Sequence, residues 1–75
     1  MQTDEAVWRI VFESAKRLLA ERRPEQSPIT TADIAADTGF DVQRVCAAVK
    51  FLAADHLDVQ AHSDWAYAEI HSVRA

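Results

Sequence analysis

Gly39, the only glycine in this chain of 75 residues, constrains the fold more than any other residue. A glycine can take the left-handed backbone conformation that ends many helices, because it has no Cβ to clash with the carbonyl. A capping sequence begins at Thr30, one short helix before the glycine, and Asp41 is placed to cap a second helix after it. The pattern predicts helices at about 31–38 and 42–55, joined by a tight turn at Gly39.

The N-terminal third predicts a long amphipathic helix over about residues 4–22. Its inward-facing side chains recur every three or four positions, at Val7, Ile10, Val11, Ser14, Leu18 and Leu19. Thr3 is a suitable N-cap, and Pro24 ends the helix because proline cannot continue it. Trp8 and Phe12 lie beside the stripe and widen the apolar face of this helix.

The last part of the chain changes from helical spacing to alternation. Apolar residues alternate with polar ones from Leu57 onward, and a second alternating run includes Trp65. Ser63 and Asp64 form a short turn between the two runs, so the pattern predicts a β-hairpin over about 57–71. The fold class is therefore mainly α (α+β), with three helices followed by a C-terminal hairpin.

One domain over residues 1–75 is near the lower size limit for a hydrophobic core that has no disulfide or metal to support it. Its core must therefore draw on all the helices and on the hairpin. The residues predicted to be buried in one cluster are Leu18, Ile34, Phe40, Val45, Val49, Leu52 and Leu57.

The charge of the chain is unevenly distributed. Eight Lys and Arg residues face twelve Asp and Glu residues, for a net charge of −4. Between residues 24 and 73, only Arg44 and Lys50 are basic, against eight acids. This part of the surface should repel a polyanion overall.

Sites for catalysis, metals and cofactors are not indicated. Cys46 is the only cysteine, which excludes an intramolecular disulfide. His56, His62 and His71 lack the close spacing of metal ligands, so they are interpreted as polar surface residues. The single glycine excludes a phosphate-binding loop, and no nucleophile has a base at suitable spacing. We expect neither an enzyme nor a bound cofactor.

A cytoplasmic protein without a membrane partner is expected. The chain opens Met1-Gln2-Thr3-Asp4-Glu5, with acids where a signal peptide carries positive charge. No segment approaches the run of about 18 apolar residues that a membrane span requires.

Residues 33–45 resemble the helix-turn-helix of bacterial winged-helix regulators. The matching residues are Ile34 and Ala35 in the first helix, Gly39 and Phe40 in the turn, Asp41 as cap, and Val45 in the second helix. Residues 49–59 resemble the exit from the recognition helix into the wing, and the first helix fits MarR-like and ArsR-like domains. The resemblance implies a winged helix-turn-helix that binds DNA as a transcriptional regulator, with helix 42–55 in the major groove.

The same resemblance implies the contacts. Base edges would be read from the recognition helix by Gln43, Arg44, Ala47 and Lys50. Thr31 would offer its backbone N–H or its hydroxyl to a phosphate. In many relatives the first helix supplies a homodimer contact, which here would include Trp8.

The wing departs from the family pattern, and this keeps a second function open. Wings of the family present Arg or Lys to DNA, yet residues 51–73 contain neither, and the tip reads His62-Ser63-Asp64-Trp65. The alternative is an acidic winged-helix module that mediates protein–protein interaction without binding DNA. The partner would then contact either the acidic wing with Trp65, or the surface formed by Val42, Ala47 and Phe51.

Overall fold

The computed structural model describes residues 4–22 and 28–73. Within them the helices are α1 (Asp4–Glu21), α2 (Thr31–Thr38) and α3 (Val42–Leu52). The strands are β1 (Ile29–Thr30), β2 (Leu57–His62) and β3 (Tyr67–Val73), which form an antiparallel sheet in the order β1-β3-β2. The described residues therefore fold as a mixed α+β unit. The predicted caps and stops at Thr3 and Pro24 lie outside the described residues.

Helix α1 buries one stripe and leaves its flanks half-covered. Val7, Val11 and Ala15 are buried, whereas Trp8, Phe12, Leu18 and Leu19 are half-buried and pack against the core. Ile10 was expected in the stripe but is 37% exposed. It lies one position before Val11, at the edge of the buried face, because positions 7, 11 and 15 repeat every four residues and already fill it.

Both ends of α2 and the start of α3 are capped by the predicted residues. Thr30 accepts a hydrogen bond from the backbone N–H of Asp33 (3.3 Å), and the Asp33 carboxylate accepts one from the Thr30 N–H (2.9 Å). Gly39 has a φ of 80°, and its N–H donates to the carbonyl of Ala35 (2.9 Å). Asp41 caps α3 through its carboxylate. The reciprocal cap and the left-handed glycine confirm the predicted helix boundaries here.

Helix α3 ends at Leu52, three residues before the end at residue 55 that the sequence pattern predicted. The N–H groups of Ala54 and Asp55 bond to carbonyls only three residues back, so the backbone tightens into a turn after the helix. This turn brings Leu57 into the core, where it is fully buried at the start of β2. Burial of Leu57 therefore competes successfully with continuation of the helix through two alanines.

The connection between β2 and β3 is longer than the predicted two-residue turn. It spans residues 63–66, so Trp65 lies in the turn and not in a strand. Ser63, Asp64 and Trp65 have φ values of 52°, 56° and 68°. The pairing also contains an irregularity between Asp58 and Val59, which leaves His71 of β3 without an opposing residue.

The core combines all the elements. Of the residues predicted for it, Ile34, Val45, Val49, Leu52 and Leu57 are buried in one cluster. Phe40 and Leu18 are half-buried and pack against that cluster, so they are less enclosed than predicted. The sheet adds Ile29, Ala68 and Ile70, with Ile70 of the central strand fully buried. None of the described helices combines the length and apolar character that a membrane span needs.

Candidate nucleic-acid interface

The outward face of α3 carries the four residues that the family resemblance predicted to contact DNA bases. Gln43, Arg44, Ala47 and Lys50 are all exposed. Their exposure follows from the opposite side of the helix, where Val45, Ala48, Val49 and Leu52 are buried against α1, α2 and the sheet. Positions 43, 47 and 50 repeat at helical spacing, so these side chains form one row along the helix, with Arg44 beside them.

Both cations of α3 lie over aromatic rings. Arg44 Cζ is 6.0 Å from the centroid of the Phe40 ring, and Lys50 Nζ is 5.8 Å from that of Trp65. Within residues 4–22 and 28–73, neither cation forms an ion pair. A ring face attracts a cation without neutralising it, so both positive charges remain available to an anionic partner.

The cations of α1 are arranged differently. Each lies within 4.0 Å of at least one carboxylate, in the pairs Arg9–Glu5, Lys16–Glu13, Arg17–Glu21 and Arg17–Asp37. The first three pairs are three or four residues apart on the helix and are local to it. Ion pairing therefore reduces the positive potential that these residues present to solvent.

Asp37 joins α1 to the end of α2. Its carboxylate accepts a 2.6 Å hydrogen bond from the Ser14 hydroxyl and a further hydrogen bond from the Arg17 guanidinium. The Ser14 bond, and then Arg17, hold the pKa of Asp37 below its ordinary value. The same carboxylate raises the pKa of Arg17, mainly through their hydrogen bond. Arg17 is thus committed to an intramolecular contact.

A groove separates α3 from the hairpin turn. Its volume is about 470 Å³, and it is lined by Gln43, Cys46, Ala47 and Lys50 of α3 and by Ser63, Asp64, Trp65 and Ala66 of the turn. The thiol of Cys46 donates to the carbonyl of Ala66 over 3.7 Å, which links the two walls. Two residues predicted to contact DNA, Gln43 and Lys50, therefore line this groove, and the carboxylate of Asp64 lies on its opposite wall.

The hairpin surface next to this groove is acidic. Asp58 and Asp64 are exposed, and neither β2 nor β3 carries a lysine or arginine in its described residues. The Nε2 atom of His62 lies 2.5 Å from Glu69 Oε1, without the alignment of a hydrogen bond. The His62 ring also stacks on Tyr67 at a centroid distance of 4.9 Å. The described residues of β2 and β3 therefore offer no lysine or arginine to phosphates.

Thr31, which was predicted to contact a phosphate, lies inside the fold and not on its surface. Thr31 is fully buried, and its hydroxyl accepts a 3.3 Å hydrogen bond from the N–H of Ala68 in β3. The side chain thereby satisfies a buried backbone donor between α2 and the sheet. A sequence-based prediction placed Thr31 correctly at the start of α2 but could not include this contact across 37 residues.

The predicted protein-contact residues fall on two separate surfaces. Phe51 is 52% exposed and stacks flat on Trp8, with the ring centroids 3.8 Å apart and the planes 9° apart. These two rings border a 230 Å³ groove that also includes Phe12 and His56. Trp65 is not part of this aromatic pair, since it lines the groove between α3 and the turn.

The rings of Phe40 and Trp65 lie beneath the two cations of α3. The sequence analysis did not assign this role to either residue. Phe40 precedes Arg44 by four residues, so this proximity was readable from the chain. Lys50 and Trp65 are 15 residues apart and meet only through the hairpin. The arrangement can bind an anionic surface without covalent chemistry, and no cluster of three metal-ligating side chains lies within the described residues.

No protein-family model, curated protein or solved structure matches the chain.

Proposed function

We propose that this chain is a winged helix-turn-helix module that binds duplex DNA through the outward face of α3. The observation that carries the proposal is the exposed row of Gln43, Ala47 and Lys50, with Arg44 beside it. The order of elements supports it, because a two-helix unit joined at Gly39 is followed by an antiparallel hairpin. A bacterial transcriptional regulator, related to MarR-like and ArsR-like proteins, is the proposed biological role.

The chemistry of the α3 face suits this role. An arginine can donate two hydrogen bonds to guanine, and a glutamine can pair in the same way with adenine. Arg44 and Gln43 supply these groups in the first turn of α3, where a recognition helix contacts bases. Lys50, near the other end, is suited to a phosphate. Ala47 between them is small enough to allow close approach of the helix.

The number of cations limits the affinity. The two cations of α3 give a slope of log affinity against log salt of only about −2, so binding is weak and falls less steeply with salt than it does for proteins with many phosphate contacts. A homodimer through α1 would present two α3 faces and double the number of contacts. We include this dimer in the proposal, with Trp8 on its contact surface.

The test is a titration of labelled, mixed-sequence duplex DNA with the purified chain at low salt, followed by fluorescence anisotropy. Arg44→Gln and Lys50→Gln should each weaken binding and reduce the salt slope by about one unit. Arg9→Gln is the matched control, because it removes one exposed cation of α1 that is already paired with Glu5. Its salt slope should equal that of the unaltered protein.

Two results contradict the proposal. One is the lack of any binding at low salt by the folded protein. The other is an equal loss of affinity for Arg9→Gln and Lys50→Gln, since binding would then respond to total charge and not to α3. A circular dichroism spectrum recorded for each variant distinguishes a loss of binding from a loss of fold.

A protein-interaction module is the second candidate, and the exposure of Phe51 favours it. A stacked pair of large rings at the surface is a common feature of protein interfaces, where aromatic residues are enriched. The acidic hairpin and Trp65 would complete the contact. Failure to bind DNA, together with loss of a protein partner on Phe51→Ser or Asp64→Asn substitution, would favour this function over DNA binding.

A further inference from the structure

The turn between β2 and β3 is held in a conformation that its sequence does not favour. Ser63, Asp64 and Trp65 all have positive φ values, between 52° and 68°, and none of them is a glycine. Aspartate tolerates this region, but a bulky residue such as tryptophan rarely adopts it. Such a backbone persists only when the surrounding contacts favour it strongly.

The contacts that hold this turn come from α3 and the core. Trp65 is half-buried and packs against the core, and the Ala66 carbonyl accepts the hydrogen bond from Cys46 on α3. The N–H of Ala66 also donates to the carbonyl of Ser63 (3.1 Å), which closes the turn. The turn therefore folds back toward α3, with the Trp65 ring beside the helix.

The result of this turn is an aromatic surface under Lys50. Lysine has a long side chain whose ammonium group samples many rotamers in solution, and fixing it on binding reduces affinity. Here Nζ lies 5.8 Å from the centroid of the Trp65 ring. Lys50 also lines the groove between α3 and the turn, next to Ala47 and Gln43.

We propose that Trp65 is a positioning residue for DNA binding, which holds the ammonium group of Lys50 at the groove between α3 and the turn and orients it toward a phosphate. The inference rests on the proposed function and assigns to the turn a role that does not require it to reach DNA. The unusual backbone of residues 63–65 is the means by which the hairpin brings the ring to α3. The acidic tip of the hairpin is then compatible with DNA binding, because the hairpin contributes to binding by positioning Lys50 and not by contacting DNA itself.

The experiment is a double-mutant cycle between Trp65 and Lys50 in the complete chain, with the same duplex and low-salt titration. Trp65→Leu keeps an apolar side chain but removes the ring, and it should weaken binding about two- to fivefold, the range of an exposed cation–π contact. In a Lys50→Gln background the same substitution should leave affinity unchanged. Trp65→Phe retains a smaller ring and should show an intermediate loss.

A second measurement reports the contact without DNA. The ring current of Trp65 should move the NMR signals of the Lys50 side-chain CH₂ protons upfield, and Trp65→Leu should remove this shift. The signals of Lys16, whose Nζ lies 5.0 Å from the Phe12 ring on α1, serve as the control and should not change. If Trp65→Leu does not fold, the cycle is completed with Trp65→Phe.

The outcomes separate this inference from the function on which it rests. Binding by the unaltered protein, with equal effects of the Trp65 substitution in both backgrounds, overturns the positioning role and leaves DNA binding intact. An unshifted Lys50 spectrum does the same. If the unaltered protein does not bind duplex DNA at low salt, the proposed function and this inference both fail.

Discussion

The surface of α1 and the outward face of α3 both carry exposed cations, but among the described residues only those of α1 are paired with carboxylates. On α1, Arg9, Lys16 and Arg17 each have a carboxylate within 4.0 Å. On α3, Arg44 and Lys50 lie over the rings of Phe40 and Trp65 and have no carboxylate partner among the described residues, whereas Lys16 of α1 has both a ring and a carboxylate. A carboxylate cancels much of the field of a cation, whereas a ring orients the cation and leaves its charge in place.

The comparison teaches that a count of charges along the chain does not show which of them are paired. Residues 1–23 hold five bases and four acids, whereas residues 24–73 hold two bases and eight acids. Composition therefore favours the first segment as the positive surface. Pairing within α1 weakens this preference, because the three intrahelical pairs reduce the positive field of that helix. Such exposed pairs contribute little to stability, because water and salt screen them.

The largest expected effect concerns the side of α3 that faces inward. Leu52→Ala should lower the free energy of unfolding by about 2–5 kcal/mol, because Leu52 is buried and its removal leaves a cavity in a small core. Thermal or urea denaturation measures the change. An unaltered midpoint would mean that α3 is oriented differently, and the contrast between its two faces would no longer hold.

The next effect concerns the turn that sets α3 against α2. Gly39→Val should cost about 1–2 kcal/mol or more, because a β-branched residue is strained at the φ of 80° found here. No atom lies within 4 Å of a Cβ built at this position, so the cost is conformational and not steric crowding by neighbours. Gly39→Asn should be tolerated better. Equal denaturation midpoints for the two variants would place the turn elsewhere.

A smaller, pH-dependent effect tests the pairing on α1. The pKa of Asp37 is lower in the folded protein than the unfolded value of about 3.9, so its charged form stabilises the fold above about pH 4. This stabilisation is lost as the pH falls through the folded-state pKa. Asp37→Asn should therefore be less stable than the unaltered protein at pH 7, and the difference should shrink toward pH 3. Denaturation curves at several pH values measure it.

A difference that stays constant with pH would show that the carboxylate charge of Asp37 is not what stabilises the contact with Ser14 and Arg17. The contrast between the cations of α1 and those of α3 would then be supported only by the distances between their atoms. Glu13→Gln is a suitable control, since Glu13 is an exposed partner of Lys16 and lies within a single helix.

The smallest expected effect lies beside α3. Asp64→Asn should raise affinity for mixed-sequence duplex DNA about two- to fivefold at low salt, because it removes a negative charge from the wall of the groove. Asparagine tolerates the left-handed conformation of this position, so the backbone is preserved. Asp58→Asn should give a weaker increase, since Asp58 does not line that groove. Anisotropy titrations compare them, and equal increases would indicate a general charge effect.

Much of the helical part of the fold was predictable, and the reasons are local. The capping box at Thr30, the left-handed conformation of Gly39 and the cap at Asp41 depend on residues within four positions of one another. The exposed row on α3 follows in the same way from the periodicity of its buried face. What failed was the end of α3, since the burial of Leu57 outweighed the helical preference of the alanines before it.

The candidate site was predictable only in part. Gln43, Arg44, Ala47 and Lys50 are exposed as expected, but Thr31 is buried under β3. Its hydroxyl is engaged by a strand that lies 37 residues away in the chain. A propensity or a motif describes neighbours in sequence, and it carries no information on which distant backbone group will need an acceptor.

The sequence by itself determined the caps, the turn at Gly39, the helical periodicity and the presence of only two lysine or arginine residues between residues 24 and 73, because each is a property of nearby side chains. The tertiary structure alone decided which partners the cations find in distant parts of the chain. Lys50 meets Trp65, and Arg17 meets Asp37, only after separate elements have packed together. Contacts between distant parts of the chain depend on how the whole core is filled, and that is a collective property which no short segment encodes.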